Sequence, residues 1–245
     1  MRIEEAIEVF GQGFTFTRGF THPYLFERVA PLWVMRDAPR KRPEYRNEEW
    51  LVYRTPAEEA ERVIQANRRQ RYAVCVFLEG DETHEHVKIE FKAIGYRFHG
   101  VETLFDHSLN QIPEFKCSYS TKRVVEMADA EKLKEAAGSW QVRPQDLADP
   151  NSRLRQYIAC DGETAVGWVR SIRCGDSGWC SNMFVKADYR RQGIGKALMS
   201  RMLLDDRASG QTSAVLLASH SGAMLYPKVG YEKLGTLAIF TRKKS

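Results

Sequence analysis

The stretch from Asn182 to Arg201, Asn-Met-Phe-Val-Lys-Ala-Asp-Tyr-Arg-Arg-Gln-Gly-Ile-Gly-Lys-Ala-Leu-Met-Ser-Arg, constrains the fold more than any other. An apolar strand end, Met183-Phe184-Val185, runs into a polar loop carrying Gly193 and Gly195. A helix follows in which Ile194, Ala197, Leu198 and Met202 share roughly a 140° arc. Glycines at the mouth of a helix let backbone N–H groups come close to a ligand. The unpaired N–H groups of the first turn, together with the helix dipole, favour an anion such as phosphate. Strand, glycine loop and helix therefore predict a phosphate cradle.

Two familiar phosphate loops do not fit it. A P-loop needs a glycine where Arg190 stands and a Ser or Thr where Ala197 stands, so its anchoring turn and magnesium ligand are both missing. A dinucleotide fingerprint through Gly193 and Gly195 wants a third glycine at Leu198 and a place near the start of a βαβ run. What remains, Arg190-x-x-Gly193-x-Gly195, resembles the pyrophosphate loop of the GCN5-related N-acetyltransferases, the GNAT family. Downstream, 214–219 reads as a buried strand and a short helix follows. Then comes Leu225-Tyr226-Pro227-Lys228-Val229-Gly230-Tyr231, and a last strand runs to about Phe240. This is similar to the family's second signature, Leu-Tyr-x-x-x-Gly and an aromatic, with Gly230 suited to a left-handed turn.

The resemblance implies an α/β (α+β) chain with the GNAT acyl-CoA N-acyltransferase fold, a mixed, mostly antiparallel sheet flanked by helices. The elements before the loop read in a compatible order. A strand is expected over 121–127, a helix over 130–137 ending at Gly138, and a short helical turn over 144–147. Strands 156–160 and 164–173 flank a hairpin signal at Asp161-Gly162, and a turn over 175–178 leads into strand 179–185.

The first half carries an echo. Phe91, Gly95, Tyr96, Gly100 and Phe105 line up with Tyr226, Gly230, Tyr231, Gly235 and Phe240 at a constant offset (230 − 95 = 135). Here 3–10 suggests an amphipathic helix, aromatic and Thr-rich 14–24 suggests β structure, and 29–35 a buried strand. The segment 36–47, with Pro39 and Pro43, reads as a charged loop. Pro56 with Glu58 and Glu59 opens a helix to about Arg69, 72–77 is a strand, and 85–94 a helix. Tandem modules are expected: 1–113, GNAT-like but degenerate, and 114–245, catalytic, joined by a linker over 112–120. The first module reaches its helix through Val52-Tyr53-Arg54-Thr55-Pro56 without a glycine loop, so it should wall the acceptor site rather than hold a cofactor.

Composition narrows the classes. With 43% hydrophobic and 28% charged residues and no apolar run near the roughly 18 residues of a membrane span, the chain reads as a cytoplasmic globular protein without membrane partners. The net charge of +5 is thinly spread and lacks the aromatic–basic interleaving of RNA binders; it points away from nucleic acid and suits an anionic cofactor. Five cysteines without a C-x-x-C pair predict free thiols. The His84-Glu85-His86 cluster lacks a third ligand, and no metal is expected.

The resemblance also implies a chemistry, transfer of acetyl from acetyl-CoA to a small-molecule or protein amine. Backbone groups near Met183, Phe184 and Val185 would hold the pantetheine arm. N–H groups from Arg191, Gln192, Gly193, Ile194, Gly195 and Lys196 would hold the pyrophosphate, with side-chain charge from Arg190, Arg191 and Lys196. A backbone N–H near Phe184 would meet the oxyanion, and Tyr226 matches the family tyrosine that can return a proton to the thiolate. No carboxylate stands in Trp179-Cys180-Ser181-Asn182, so the amine's proton would leave through water or through His220. A catalytically silent acetyl-CoA sensor is the alternative, and a homodimer is left open.

Overall fold

The computed structural model describes residues 1–41, 44–149, 151–219 and 222–243. Two compact units make up the chain: Met1–Phe105 with Leu217–Ser221 and Lys233–Ser245, and Asp106–Leu216 with Gly222–Glu232. They do not fall on a single cut, because the closing strand of a module drawn as 114–245 is housed in the first unit.

The first unit opens with α1 (Ile3–Arg18), followed by β1 (Tyr24–Val29), β2 (Leu32–Asp37) and β3 (Glu48–Tyr53). Then come α2 (Ala57–Asn67), β4 (Tyr72–Glu79), α3 (Glu85–Ala93) and β5 (Tyr96–His107). The β structure expected over 14–24 is helix as far as Arg18, so tertiary packing overrides local propensity there. The Phe10 and Phe14 rings meet at a tilt along the helix, centroids 5.3 Å apart. Thr15 Oγ1 donates back to the Gly11 carbonyl at 2.6 Å, and the Phe26 ring fills the space beside Gly11, where a Cβ would lie 2.3 Å from it. The single strand expected over 29–35 is instead a hairpin, with Val29 opposite Leu32. Strand β3, hidden by its acidic start, is made possible by a buried Glu48 that accepts from Trp50 Nε1 (2.9 Å) and the Arg69 amide (3.0 Å).

The second unit holds β6 (Ser120–Arg123), α4 (Met127–Ala137), α5 (Pro144–Ala148), β7 (Leu154–Asp161) and β8 (Thr164–Cys174). It continues through β9 (Ser177–Val185), α6 (Ile194–Ala208) and β10 (Ser213–Ala218). The strand expected over 121–127 stops at Arg123, because the Ala130 amide bonds the Glu126 carbonyl and closes the first turn of α4. That helix ends on Gly138 at φ 72°, as its sequence predicts. The last strand, β11 (Glu232–Arg242), pairs antiparallel with β4 from Gly235↔Glu79 to Thr241↔Ala73.

Strand order is β1-β2-β3-β4-β11-β5 in the first unit and β10-β9-β8-β7-β6 in the second. Trp50, Phe91, Tyr96 and Phe240 lead the first unit's core. In the second, α6 covers one face of the sheet so closely that a Cβ on Gly167 would lie 3.0 Å from Ile194 Cγ2. The opposite face carries Lys122, whose Nζ pairs with Asp129 of α4 at 2.8 Å. Both copies of the echo carry a left-handed glycine after a helical turn: Gly95 at φ 89°, one residue past the C-cap Ile94 of α3, and Gly230 at φ 94°, the C-cap of the 3-10 turn Tyr226–Val229.

Candidate active site

A parallel pair of strands normally stays paired along the shorter strand, and β3 with β4 does so from Glu48↔Tyr72 to Tyr53↔Phe77. Strands β9 and β10 do not. Their ladder has the pairs Ser213↔Ser177, Ala214↔Gly178 and Val215↔Trp179 and then stops, although β9 runs on to Val185. Beyond Trp179 no strand pairs with that edge of β9 among the described residues, which is where an extended polar chain can bind. On its other edge β9 carries a bulge. Trp168 faces Phe184 and Arg170 faces Ser181, so three steps on β9 (184 − 181 = 3) oppose two on β8 (170 − 168 = 2). Asn182, in the bulge, takes φ 55°.

The loop after β9 is a nest. Arg191 at φ 61° and Gly193 at φ 83° are both left-handed, and Gly193 is the N-cap of α6 without a side-chain cap. The Ala197 amide makes the helix's first internal bond to the Gly193 carbonyl, leaving the amides of Ile194, Gly195 and Lys196 without an intrahelical partner. No acidic residue occupies the first turn. Holding non-glycine residues left-handed costs on the order of 1 kcal/mol each, and two of the four such positions among the described residues, Asn182 and Arg191, lie here.

Each expected residue has a definite place. Met183 points to the first turn of α6: a Cβ on Gly195 would lie 3.3 Å from Met183 Cε and 3.4 Å from Leu225 Cδ2, so strand, helix and the Tyr226 segment meet there. Phe184 stacks on Trp168 at 4.6 Å. The Val185 carbonyl accepts from Arg190 Nε at 3.0 Å, so that side chain braces the loop's base. Gln192 Nε2 donates to the Asp188 carbonyl (3.0 Å), its Oε1 accepts from Tyr119 (2.6 Å), and Lys196 Nζ lies over the Phe115 ring at 4.7 Å. The segment expected to be a plain linker thus lines the loop, and Cys117 Cβ would sit 3.6 Å from a Cβ on Gly193.

Tyr226 is buried, in edge contact with Tyr231 (ring centroids 5.9 Å), and burial raises its phenol above the ordinary value. It stays neutral at neutral pH. Cys180, also buried, has its thiol pushed up by desolvation and is no ready nucleophile. His220 lies outside the described residues. Among those described, no group of three or more His, Cys, Asp or Glu side chains could hold a metal ion, and no helix is long and apolar enough to cross a membrane.

Sequence reasoning did not find His107. Its Nδ1 accepts from the Leu109 amide (2.9 Å), so Nε2 carries the proton and donates to the Val229 carbonyl (3.2 Å). That bond pins the turn bearing Tyr226. It also explains Gly230, where a Cβ would fall 2.7 Å from His107 Nε2. No local signal could reveal a partner separated by 122 positions.

Residues 152–233 match the family model described as "Acetyltransferase (GNAT) domain". A GCN5-related N-acetyltransferase from Kribbella flavida superposes with a TM-score of 0.64 at 16% identity, over 100% of this chain and 97% of that one. A second, from Sphaerobacter thermophilus, gives 0.56 at 17% identity over 87% and 78%. A tandem GNAT protein from the clavulanic acid biosynthesis pathway gives 0.52 at 12% over 87% and 80%. No curated protein sequence matches. The chain has the GNAT fold, and the match to that family's domain model covers residues 152–233.

Proposed function

From a GNAT domain with an interrupted β9–β10 ladder, we propose that this protein is an acetyl-CoA-dependent N-acetyltransferase acting on a primary amine by direct attack. The observation that carries the reading is the conjunction of that interruption with the left-handed nest at Arg191 and Gly193. The nest and the first-turn amides of α6 suit a diphosphate, and the open edge of β9 suits the two amides of a pantetheine arm. Bound there, acetyl-CoA supplies the activated acyl group. A backbone N–H at the bulge, near Phe184, would donate to the carbonyl oxygen as it gains charge. Tyr226 holds a proton for the departing sulfur. The amine's proton leaves to water, since β9 (Ser-Gly-Trp-Cys-Ser-Asn-Met-Phe-Val) offers no carboxylate.

That missing carboxylate favours a second reading, an acetyl-CoA-binding regulatory protein without turnover. Incubation with acetyl-CoA and a broad amine panel, reading free CoA thiol, separates the two: thiol release supports the enzyme, and tight binding without release supports the sensor. Gly193→Glu places a carboxylate and its bulk in the nest and should abolish acetyl-CoA binding by calorimetry. Retained micromolar affinity would count against the nest as the diphosphate site.

A further inference from the structure

Several sheltered arginines of this chain are paired. Arg36 meets Glu27, Arg155 meets Asp206 at 3.4 Å, and Arg143 meets Asp146 at 2.7 Å. Arg170 is different. It projects from β8 on the face away from α6, beside the bulge, and its Nε donates to Ser181 Oγ at 3.2 Å. Among the described residues no carboxylate lies within ion-pairing distance, and its two terminal nitrogens make no hydrogen bond. Shielding from water pulls its guanidinium down to about 10, opposed only by the nearby Cys180. An unpaired cation in such a place destabilises the fold unless an anion arrives.

The surroundings say which anion. The α6 face of β9, where Met183 meets Gly195 and Leu225, belongs to the acyl donor in the reading above. The other face is lined by Arg170, Ser181 and Phe184, with Asn182 Nδ2 bonded to Gln141 Oε1 (2.6 Å) of the loop between α4 and α5. Phe184, stacked on Trp168, is 39% exposed, and Trp140, the residue before Gln141 in that loop, is 38% exposed. A molecule entering there would meet one planar cation and the stacked rings of Phe184 and Trp168. We propose that the acceptor bears a carboxylate as well as its amine, and that Arg170, positioned by Ser181, binds that carboxylate while the amine reaches the bulge. Guanidinium and carboxylate match as a two-point fork. The residues between Ser181 and Phe184 span roughly 7–10 Å at strand rise, so a short spacer between amine and carboxylate fits. This excludes acceptors with only cationic and hydroxyl groups, such as polyamines.

The inference rests on the acetyltransferase reading for its site, and its test separates the two. Wild type, Arg170→Gln and Arg170→Lys are assayed with acetyl-CoA and two matched pairs, β-alanine with β-alaninamide and 6-aminohexanoate with 6-aminohexanamide. Wild type should prefer the carboxylate member of at least one pair by about tenfold in kcat/KM, since one charged fork is lost with the amide. Arg170→Gln should erase that preference through KM, leave the KM for acetyl-CoA unchanged and melt no lower than wild type; Arg170→Lys should keep part of the preference. Equal use of acid and amide by wild type, or an undiminished preference in Arg170→Gln, overturns the proposal. If no amine releases CoA thiol, the transferase reading fails by itself. Calorimetric titration of glutarate into the CoA-saturated proteins then decides: binding by wild type that Arg170→Gln loses supports the anion site, and equal heats or none in both overturn it.

Discussion

Asp206 is a carboxyl held away from water at the C-terminal end of α6. Its Oδ2 accepts from Ser171 at 2.8 Å and its Oδ1 lies 3.4 Å from Arg155 Nη2, with Gln211, Tyr157, Tyr231 and Cys180 around it. Burial outweighs Arg155 and pushes its pKa up to about 7 from 3.8. A carboxyl raised on folding stabilises fully below its unfolded value and loses that contribution as pH rises through the folded one. Relative to Asp206→Asn, wild type should therefore lose stability between about pH 4 and 7, by at most about 1.4 kcal/mol per pH unit. Urea melts of both proteins across that range measure the slope; parallel profiles would mean that Asp206 stays ionised throughout. Tyr226 belongs to the same scale. As a raised phenol it stays protonated at neutral pH, and Tyr226→Phe should lower kcat on the order of 100-fold. The acetyl-CoA dissociation constant should barely change, and equal losses in both would remove Tyr226 from the acid role.

At the scale of elements, the bulge in β9 decides what the strand can do. One extra residue turns the backbone between Ser181 and Phe184, and alternation of side chains resumes beyond it with Met183 toward α6 and Phe184 on Trp168. Deleting Asn182 should restore a regular ladder with β8, realign the N–H groups and cut turnover by at least about 100-fold, as loss of an oxyanion donor does. Near-ultraviolet circular dichroism should stay native. Unchanged turnover in a folded deletion variant would show that the bulge plays no part in catalysis.

For the whole molecule, the telling strand is the last. Residues from Lys233 on belong to the first unit, and β11 fills the edge of β4 with Ala238 and Phe240 in its core. A chain ending at Gly230 should leave β4 with an open apolar edge and destroy the first unit's cooperative folding. Hydrogen exchange of the amides in 72–79 reads this directly: they should be protected in the full chain and exchange freely after truncation. Slow exchange in the truncated chain would show that β11 is dispensable to that unit. Fragments 1–113 and 114–245 made separately should each fail to remain monodisperse, for the same reason.

The sequence by itself determined the glycine loop, the Gly230 turn and the repeated pattern at an offset of 135, because each is a short-range demand of backbone geometry: a left-handed residue, an exposed helix mouth, a strand after a turn. It also fixed the family resemblance that residues 152–233 bear out. Where local propensity and packing disagreed, it misled, as at the helix over residues 14–18, where Phe26 fills the space beside Gly11. Only the tertiary structure decided that the β9–β10 ladder stops at Trp179, that His107 pins the Tyr226 turn, that Arg170 has no carboxylate partner among the described residues and that β11 completes the first unit's sheet. Pairing, burial and charge neutralisation join residues tens to hundreds of positions apart, and no local pattern in a chain records which distant partner has arrived and which is missing.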